Sequence, residues 1–435
     1  MVLLCGNGLV FPIVYYGALR AGAVVAPLSP SLPVAELIRC VRRLRARLVA
    51  CDEECADAAA AAASDTGALR LLVTEGGGGD LSVGGLVDHP GREPRPLPPE
   101  QPAVILPTSG STGTPKHAVH SHASLLGNAA AVAFEMLGLQ QGDVQLGALP
   151  LAHSFGLSAV LNASLVGGAS VVLMRRFDAV AARALMERER VTVLQAVPTM
   201  LSRLTATQGP PPSRLRLCVV SGAPLPPGLA TLVHERLCAN LVERYGMTEV
   251  SPLTMRRVPR HGGPPGDVGQ PLSGVVVRTV DGAGEGELEA AAPTMFSGYD
   301  GDAEATSAAL RGRFLRTGDL GSVAGDGRVT LTGRLKDVIV RGGHKVPARQ
   351  IERVIEAHPD VVEAAVVGVP DPDLGEEVVA VLVSPRGDGV IDELRRLCAA
   401  QLARYMQPRR WYVLGSLPRT SSGKVRKQEL RTGLR

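Results

Sequence analysis

The stretch Leu106-Pro-Thr-Ser-Gly-Ser-Thr-Gly-Thr-Pro-Lys-His117 decides how this chain is read. The apolar run Ala103–Leu106 before it reads as a short buried strand. The strand runs into a loop built almost wholly from Thr, Ser, Gly and Pro. Gly110 and Gly113 permit turns that other residues resist. Backbone N–H groups can therefore converge on one point and form an anion-binding nest. Lys116 adds a point charge, and a phosphate chain is the natural guest. The P-loop of strand–loop–helix nucleotidases needs Gly before its Lys and Ser or Thr after it. Here Pro115 precedes Lys116 and His117 follows.

Outward from this loop, the chain alternates short apolar runs with helical spacing. Val2–Cys5, Val24–Pro27, Leu48–Cys51 and Leu71–Val73 read as strands, separated by helical segments at 11–21, 34–45 and 58–63. The alternation predicts a parallel α/β layer. A Pro- and Arg-rich linker follows at 89–102. Beyond the nest, helices are expected at 124–137 and 157–165. Val144–Leu149, Ser170–Leu173, Val193–Ala196 and Leu217–Val220 give a second βα block. From Gly262 to Thr332 glycine is dense and strands are short, which predicts a small β-rich subdomain. The remainder reads as α+β. The fold class is therefore α/β multidomain: a large N-terminal domain (1–333), a boundary at 334–337 and a small C-terminal domain (338–435).

Composition narrows the function classes. The 435 residues are 45% hydrophobic and 20% charged, the pattern of a globular enzyme-sized chain. Aromatics make up only 3% and the net charge is +4, so neither stacking platforms for nucleic acid nor a strongly basic face is expected. Of 46 basic residues, five are lysines: Lys116, Lys336, Lys345, Lys424 and Lys427. In so arginine-rich a chain, a retained lysine marks places where a compact ammonium is needed. Seven scattered cysteines form no metal-ligand set and read as free thiols of a reducing compartment. The apolar start has no basic n-region, and no run reaches membrane-spanning length uninterrupted. A cytoplasmic protein without membrane insertion is expected.

Six further segments accompany the nest: Ser221-Gly-Ala-Pro-Leu225, Glu243-Arg-Tyr-Gly-Met-Thr-Glu249, Arg316-Thr-Gly-Asp-Leu320, Gly333-Arg-Leu-Lys-Asp337, Arg341-Gly-Gly-His344 and Pro418-Arg-Thr-Ser-Ser-Gly-Lys424. In order and spacing the seven together resemble the adenylate-forming superfamily of acyl-CoA synthetases, aryl-acid ligases, peptide-synthetase adenylation domains and firefly-type luciferases. The resemblance spans nearly the whole chain. It implies ATP, Mg²⁺ and coenzyme A as cofactors, and a small C-terminal domain that rotates between two half-reactions. A carboxylate attacks the α-phosphate of ATP and expels pyrophosphate, so cationic stabilisation should dominate.

The resemblance also implies roles. Thr108, Ser109, Gly110, Ser111, Thr112, Gly113 and Lys116 would hold the β- and γ-phosphates. Glu249 would be the Mg²⁺ ligand, a hard carboxylate for a hard cation. Gly222, Ala223 and Pro224 would face one side of adenine and Tyr245 the other, with Arg244, Gly246, Met247 and Thr248 nearby. Asp319 would accept from the ribose hydroxyls, with Arg334 close by. Lys424 would bridge carboxylate and α-phosphate, making Lys424, Glu249 and Lys116 the catalytic set. Lys336 falls at the hinge position, and Gly342 and Gly343 on the pantetheine tunnel.

Amino-acid-activating relatives place an Asp just after the segment matching Pro150–Gly156. Here the run is His153-Ser-Phe-Gly-Leu-Ser-Ala-Val160, with no acid to pair an ammonium. A non-amino acid is expected, fatty, aryl or polycyclic, against His153, Phe155, Val197, Gly246 and Met247. Two departures stand out: His117 replaces the family's Gly after the nest lysine, and Lys345-Val-Pro-Ala-Arg-Gln350 carries its proline one place early. The family also extends several tens of residues ahead of the position matching Val2. That implies a shortened start, and a homodimer or another partner covering the exposed edge. Alternatives are a ligase delivering to a carrier protein's phosphopantetheine, a luciferase-like enzyme, and a non-catalytic nucleotide-binding descendant.

Overall fold

Two sheets, each built from local βα units, carry the large part of the chain. The computed structural model describes residues 1–88, 93, 96–108, 116–261, 263–280, 282, 284–419 and 424–434. The first sheet contains β1 (Val2–Leu4), β2 (Ala26–Pro27), β3 (Leu48–Cys51), β4 (Leu69–Thr74) and β5 (Leu81–Ser82) in the order β2-β1-β3-β4-β5, all parallel. Helices α1 (Val10–Arg20), α2 (Val34–Arg43) and α3 (Ala56–Thr66) connect its strands. Each presents an apolar stripe: Leu37, Cys40 and Val41 of α2 are buried against Val2, Leu4 and Val49. Gly67, at φ +73°, ends α3 in the left-handed conformation that glycine adopts without strain.

β6 (Pro102–Thr108) and β7 (Lys116–Ser121) form an antiparallel hairpin, and Gly298–Tyr299 adds a third strand on the outer side of β7. The second large sheet runs β8 (Val144–Gly147), β9 (Ser170–Leu173), β10 (Val193–Ala196), β11 (Leu217–Val220) and β12 (Leu241–Met247) in the order β9-β8-β10-β11-β12, again parallel. β13 (Val250–Arg257) then turns back antiparallel on β12. The expected alternation of two βα blocks is present.

Two expected helices differ in detail. The segment expected at 124–137 is α-helical over His122–Ala130 and π-helical over Ala131–Met136. The segment expected at 157–165 is π-helical over Phe155–Asn162 and α-helical only over Ala163–Gly167. Buried side chains support the second departure. Gln145 and Gln195, both fully buried on neighbouring strands, donate to the Ala159 carbonyl, and Gln145 also donates to Ser164 Oγ at 2.8 Å. A carbonyl displaced from the α pattern therefore keeps partners.

The chain divides into two compact units. One comprises Met1–Gly263, Gly269–Val276 and Ala291–Phe314; the other comprises Pro264–Val268, Val277–Ala290 and Leu315–Arg435. The β-rich region is thus shared between them. In the second unit, strand Phe314–Val323 pairs antiparallel with Glu285–Ala291 and with Val329–Arg334. A mixed sheet follows, made of Val338–Arg341, His344–Pro347, Glu363–Asp371, Gly375–Val383 and Arg410–Val413. Helices Ala348–Glu356 and Ile391–Gln401 bury Ile351, Ile355, Leu394 and Cys398 against it. All seven cysteines are buried free thiols. Among the described residues, no helix is long and apolar enough to cross a membrane.

Candidate active site

The hairpin register places Thr108 opposite Lys116 and Pro107 opposite His117. Ser109, Gly110, Ser111, Thr112 and Gly113 lie outside the described residues. Thr108 is buried at one side of the loop and Lys116 half-buried at the other. Lys116 Nζ sits 4.9 Å from the centre of the Tyr299 ring. Tyr299 Oη in turn donates to Glu249 Oε1 at 2.8 Å. Burial first, then the Glu249 charge, push the Tyr299 phenol well above its ordinary pKa, so it stays a donor. A cation, a phenol and a carboxylate thus form one short chain.

Several non-local bonds hold this chain in place. Glu249 is 6% exposed, in the tight turn between β12 and β13, and its carbonyl accepts from Phe296 N at 2.8 Å. His120 Nε2 bonds the Thr248 carbonyl at 2.8 Å, and burial keeps that imidazole neutral. The short strand bearing Tyr299 needs Gly298, whose φ is +137° and whose Cβ, if present, would lie 3.0 Å from Thr306 Cγ2. Tyr299 and His120 were not anticipated from the sequence. The run Ser297-Gly-Tyr299 was a usable signal, because the chain has only six tyrosines and this one follows a glycine.

Strand alternation separates His117 from Lys116. His117 is 2% exposed, and neither ring nitrogen has a partner among the described residues. Burial, followed by the Arg43 charge, lowers its pKa, so the ring is neutral. His117 is a packed residue on the face of β7 away from Lys116.

The nucleotide candidates cluster at the ends of β11 and β12. Ser221 Oγ donates to the Arg244 carbonyl at 3.0 Å, tying the two strand ends together. Gly222, at φ +89°, turns the chain sharply, and a Cβ there would meet Val197 Cγ1 at 3.3 Å. Ala223 and Pro224 are exposed, whereas Tyr245 is buried at 8% exposure. Glu243 pairs with Arg256 at 2.7 Å and accepts from Leu225 N, which fixes the strand next to Tyr245.

Phe155 opens the π-helical turn and is buried; its N–H donates to His153 Nδ1 at 3.2 Å. Arg244 lies over its ring, 4.3 Å from the centroid. Val197, Gly246, Met247 and His153 are half-buried. Ser154 Oγ reaches Thr248 Oγ1 at 3.5 Å, so the turn that opens at Ser154 and the Glu249 turn are neighbours.

The second unit carries its own candidates. Asp319 and Arg334 are register partners, joined by an Nε–Oδ1 ion pair of 2.9 Å, with Asp319 6% exposed. The Asp319 N–H donates to Thr317 Oγ1. Lys336 is exposed in a single 3₁₀ turn, Leu335–Asp337. Gly342 and Gly343, at φ +54° and +81°, make a two-residue hairpin turn of the type that demands left-handed conformations at both places. Lys424 is half-buried, one residue before a bridge that pairs Val425 with Arg419. Lys427 joins Glu352 at 2.6 Å and Asp337 at 3.5 Å.

Glu249 is the carboxylate expected to hold Mg²⁺. Among the described residues no group of three or more His, Cys, Asp or Glu could hold a metal ion. A single carboxylate nevertheless fits, because Mg²⁺ held at phosphates takes one or two carboxylates and fills its shell with phosphate oxygens and water.

A family model described as AMP-binding enzyme matches residues 1–300, and one described as AMP-binding enzyme C-terminal domain matches residues 350–424. A feruloyl-CoA synthase from an Amycolatopsis species is 34% identical, over 95% of this chain and 84% of its own length. A sulfoacetate–CoA ligase from Cupriavidus necator is 35% identical, over 79% of this chain and 69% of its own. The crystal structure of ATP-bound MatB from Rhodopseudomonas palustris, 31% identical, superposes with a TM-score of 0.89 over 99% of this chain and 88% of its own. The chain belongs to the AMP-binding enzyme family, the adenylate-forming synthetases and ligases.

Proposed function

We propose that the protein is an AMP-forming acid–CoA ligase acting on a carboxylic acid without an α-amino group. ATP activates the acid as an acyl-adenylate, pyrophosphate leaves, and the thiol of coenzyme A takes the acyl group. The observation that carries this reading is the Lys116–Tyr299–Glu249 chain, which sets a cation and a buried hard carboxylate beside a phosphate-loop hairpin. Lys116 neutralises charge on the β- and γ-phosphates. Glu249 holds Mg²⁺ when it is bound, and the ion supplies charge neutralisation across the phosphate oxygens. Tyr299 keeps the Glu249 carboxylate oriented and protects it from pairing with Lys116.

Tyr245 and the Gly222–Pro224 turn receive the adenine, and Asp319 the ribose. Lys424 reaches the carboxylate and α-phosphate as charge shifts between them. The segment 334–337, with Lys336, serves as the hinge. After adenylation the turn at Gly342–Gly343 admits pantetheine where side chains would crowd it. The acyl group lies against Phe155, Val197 and Met247, walls without an acidic partner for an ammonium. A carrier-protein phosphopantetheine is the alternative acceptor.

The test is ATP–pyrophosphate exchange across a panel of carboxylic acids, followed by product analysis with and without coenzyme A. Exchange dependent on one class of acid and a thioester formed only with coenzyme A are expected. Exchange without thioester would move the acceptor to a carrier protein, and exchange with no acid would overturn the assignment.

A further inference from the structure

We propose that Arg244 receives a second anionic group on the substrate, which is therefore a carboxylic acid bearing a further carboxylate or sulfonate. This inference rests on the ligase reading above and narrows its substrate class. Arg244 is 5% exposed. One guanidinium N–H reaches Ser251 Oγ at 3.1 Å, and the Phe155 ring covers the guanidinium at 4.3 Å. Nε and Nη1 have no partner among the described residues.

Two other arginines with largely buried side chains behave differently. Arg256 pairs with Glu243 at 2.7 Å, and Arg341 with Glu377 at 3.0 Å. Among the described residues, Arg244 alone of these three has no carboxylate in contact. Burial lowers its pKa to about 9, with no acid raising it, so it is still a cation at neutral pH. An uncompensated buried charge is unfavourable. A ligand that brings the missing anion removes that cost. The planar guanidinium with two open nitrogens suits a carboxylate or sulfonate in particular.

Placement favours the acid over the nucleotide as that ligand. Along β12, alternation sends Arg244 to the face opposite Glu243 and Tyr245. Ser251, which holds Arg244, is also the residue nearest Gly246, where a Cβ would lie 3.0 Å from its Oγ. Arg244 therefore shares its surroundings with Phe155 and Gly246 of the expected acyl wall, not with the tyrosine expected at adenine. The acid would lay its apolar body beside Phe155 and turn its second anion to Arg244. The same charge repels an ammonium, in keeping with the missing acidic residue after Pro150–Gly156.

The test compares acids matched in size with and without the second anion, such as sulfoacetate against propionate and glutarate against valerate, with ferulate as a bulky monoanion. Pyrophosphate exchange gives kcat/KM for each. The wild type is expected to favour the dianionic member by about 30-fold or more, the scale of a buried charge pair. In Arg244→Met that ratio should collapse, and Arg244→Lys should restore part of it. A wild type that favours the monoanions, or an unchanged ratio in a folded Arg244→Met, would overturn the inference while leaving the ligase reading intact. If Arg244→Met does not fold, the wild-type panel and Arg244→Lys decide. Exchange with none of the acids would overturn the ligase reading and this inference with it.

Discussion

The two lysines expected at the phosphates are mounted in different ways. Lys116 leaves the end of a strand paired on both sides, beside a tyrosine that is itself bonded to Glu249. Lys424 lies one residue before the bridge that pairs Val425 with Arg419, and the Arg426 N–H donates to the Pro418 carbonyl. Lys116 is thus set among long-range strand pairings, whereas the pairings beside Lys424 join residues close in sequence. Under the proposed mechanism, a group needed throughout belongs to the unit that carries the β6–β7 hairpin, and a group needed for only one half-reaction belongs to the other unit.

The largest expected effect breaks the comparison at Lys424. Lys424→Ala should lower adenylation by about 10²–10³-fold, while thioester formation from supplied acyl-adenylate keeps most of its rate. Equal loss of both steps, measured separately, would mean that Lys424 is no more specialised than Lys116. At the fixed end, Tyr299→Phe removes a hydrogen bond to a charged acceptor, a loss of about 1.5–3 kcal/mol. It should cost about tenfold or more in adenylation and raise the Mg²⁺ concentration needed for half-maximal rate. An unchanged Mg²⁺ response would detach Tyr299 from the metal ligand.

A smaller effect is expected at the hairpin turn. Gly343→Val forces a branched side chain to φ +81°, at about 1–2 kcal/mol. Thermal melting should register that loss, and the thioester step should slow more than adenylation. Equal slowing of both would separate the turn from the pantetheine path. The smallest effect lies away from both lysines. Burial alone would raise the Asp143 pKa, but hydrogen bonds from Arg216, Thr192 and the Gln140 backbone outweigh it and hold the carboxyl at about 2, against 3.8 ordinarily. A depressed folded pKa gives stability that is present above the ordinary value and lost as pH falls towards 2. Asp143→Asn should therefore lower Tm by a few degrees at neutral pH and flatten the fall in stability between those two values.

The parallel blocks were legible because each strand and helix is specified locally: the burial of Leu37, Cys40 and Val41 on α2 follows directly from their spacing. The π-helical turn at Phe155 was not legible. Its support comes from Gln145 and Gln195, distant in sequence and indistinguishable there from surface glutamines. Nor was the sharing of the β-rich region between two units. Pro264–Val268 joins the second unit through pairing such as Leu331 N on the Gly266 carbonyl at 2.8 Å, which no local pattern announces. At the candidate site, motif spacing pointed to Lys116, Glu249 and Asp319, but Tyr299 became visible only when its strand was seen beside β7. Arg244 was legible as a motif residue, whereas its missing counter-charge is a property of packing.

The most direct test of the central claim is a single-turnover experiment on the wild-type protein with ATP, Mg²⁺ and the best acid from the exchange panel, analysed by mass spectrometry. An acyl-adenylate should accumulate on the enzyme without coenzyme A, then convert quantitatively to acyl-CoA and AMP when coenzyme A is added. Release of ADP, or an acyl-adenylate that persists after coenzyme A is added, would contradict the account.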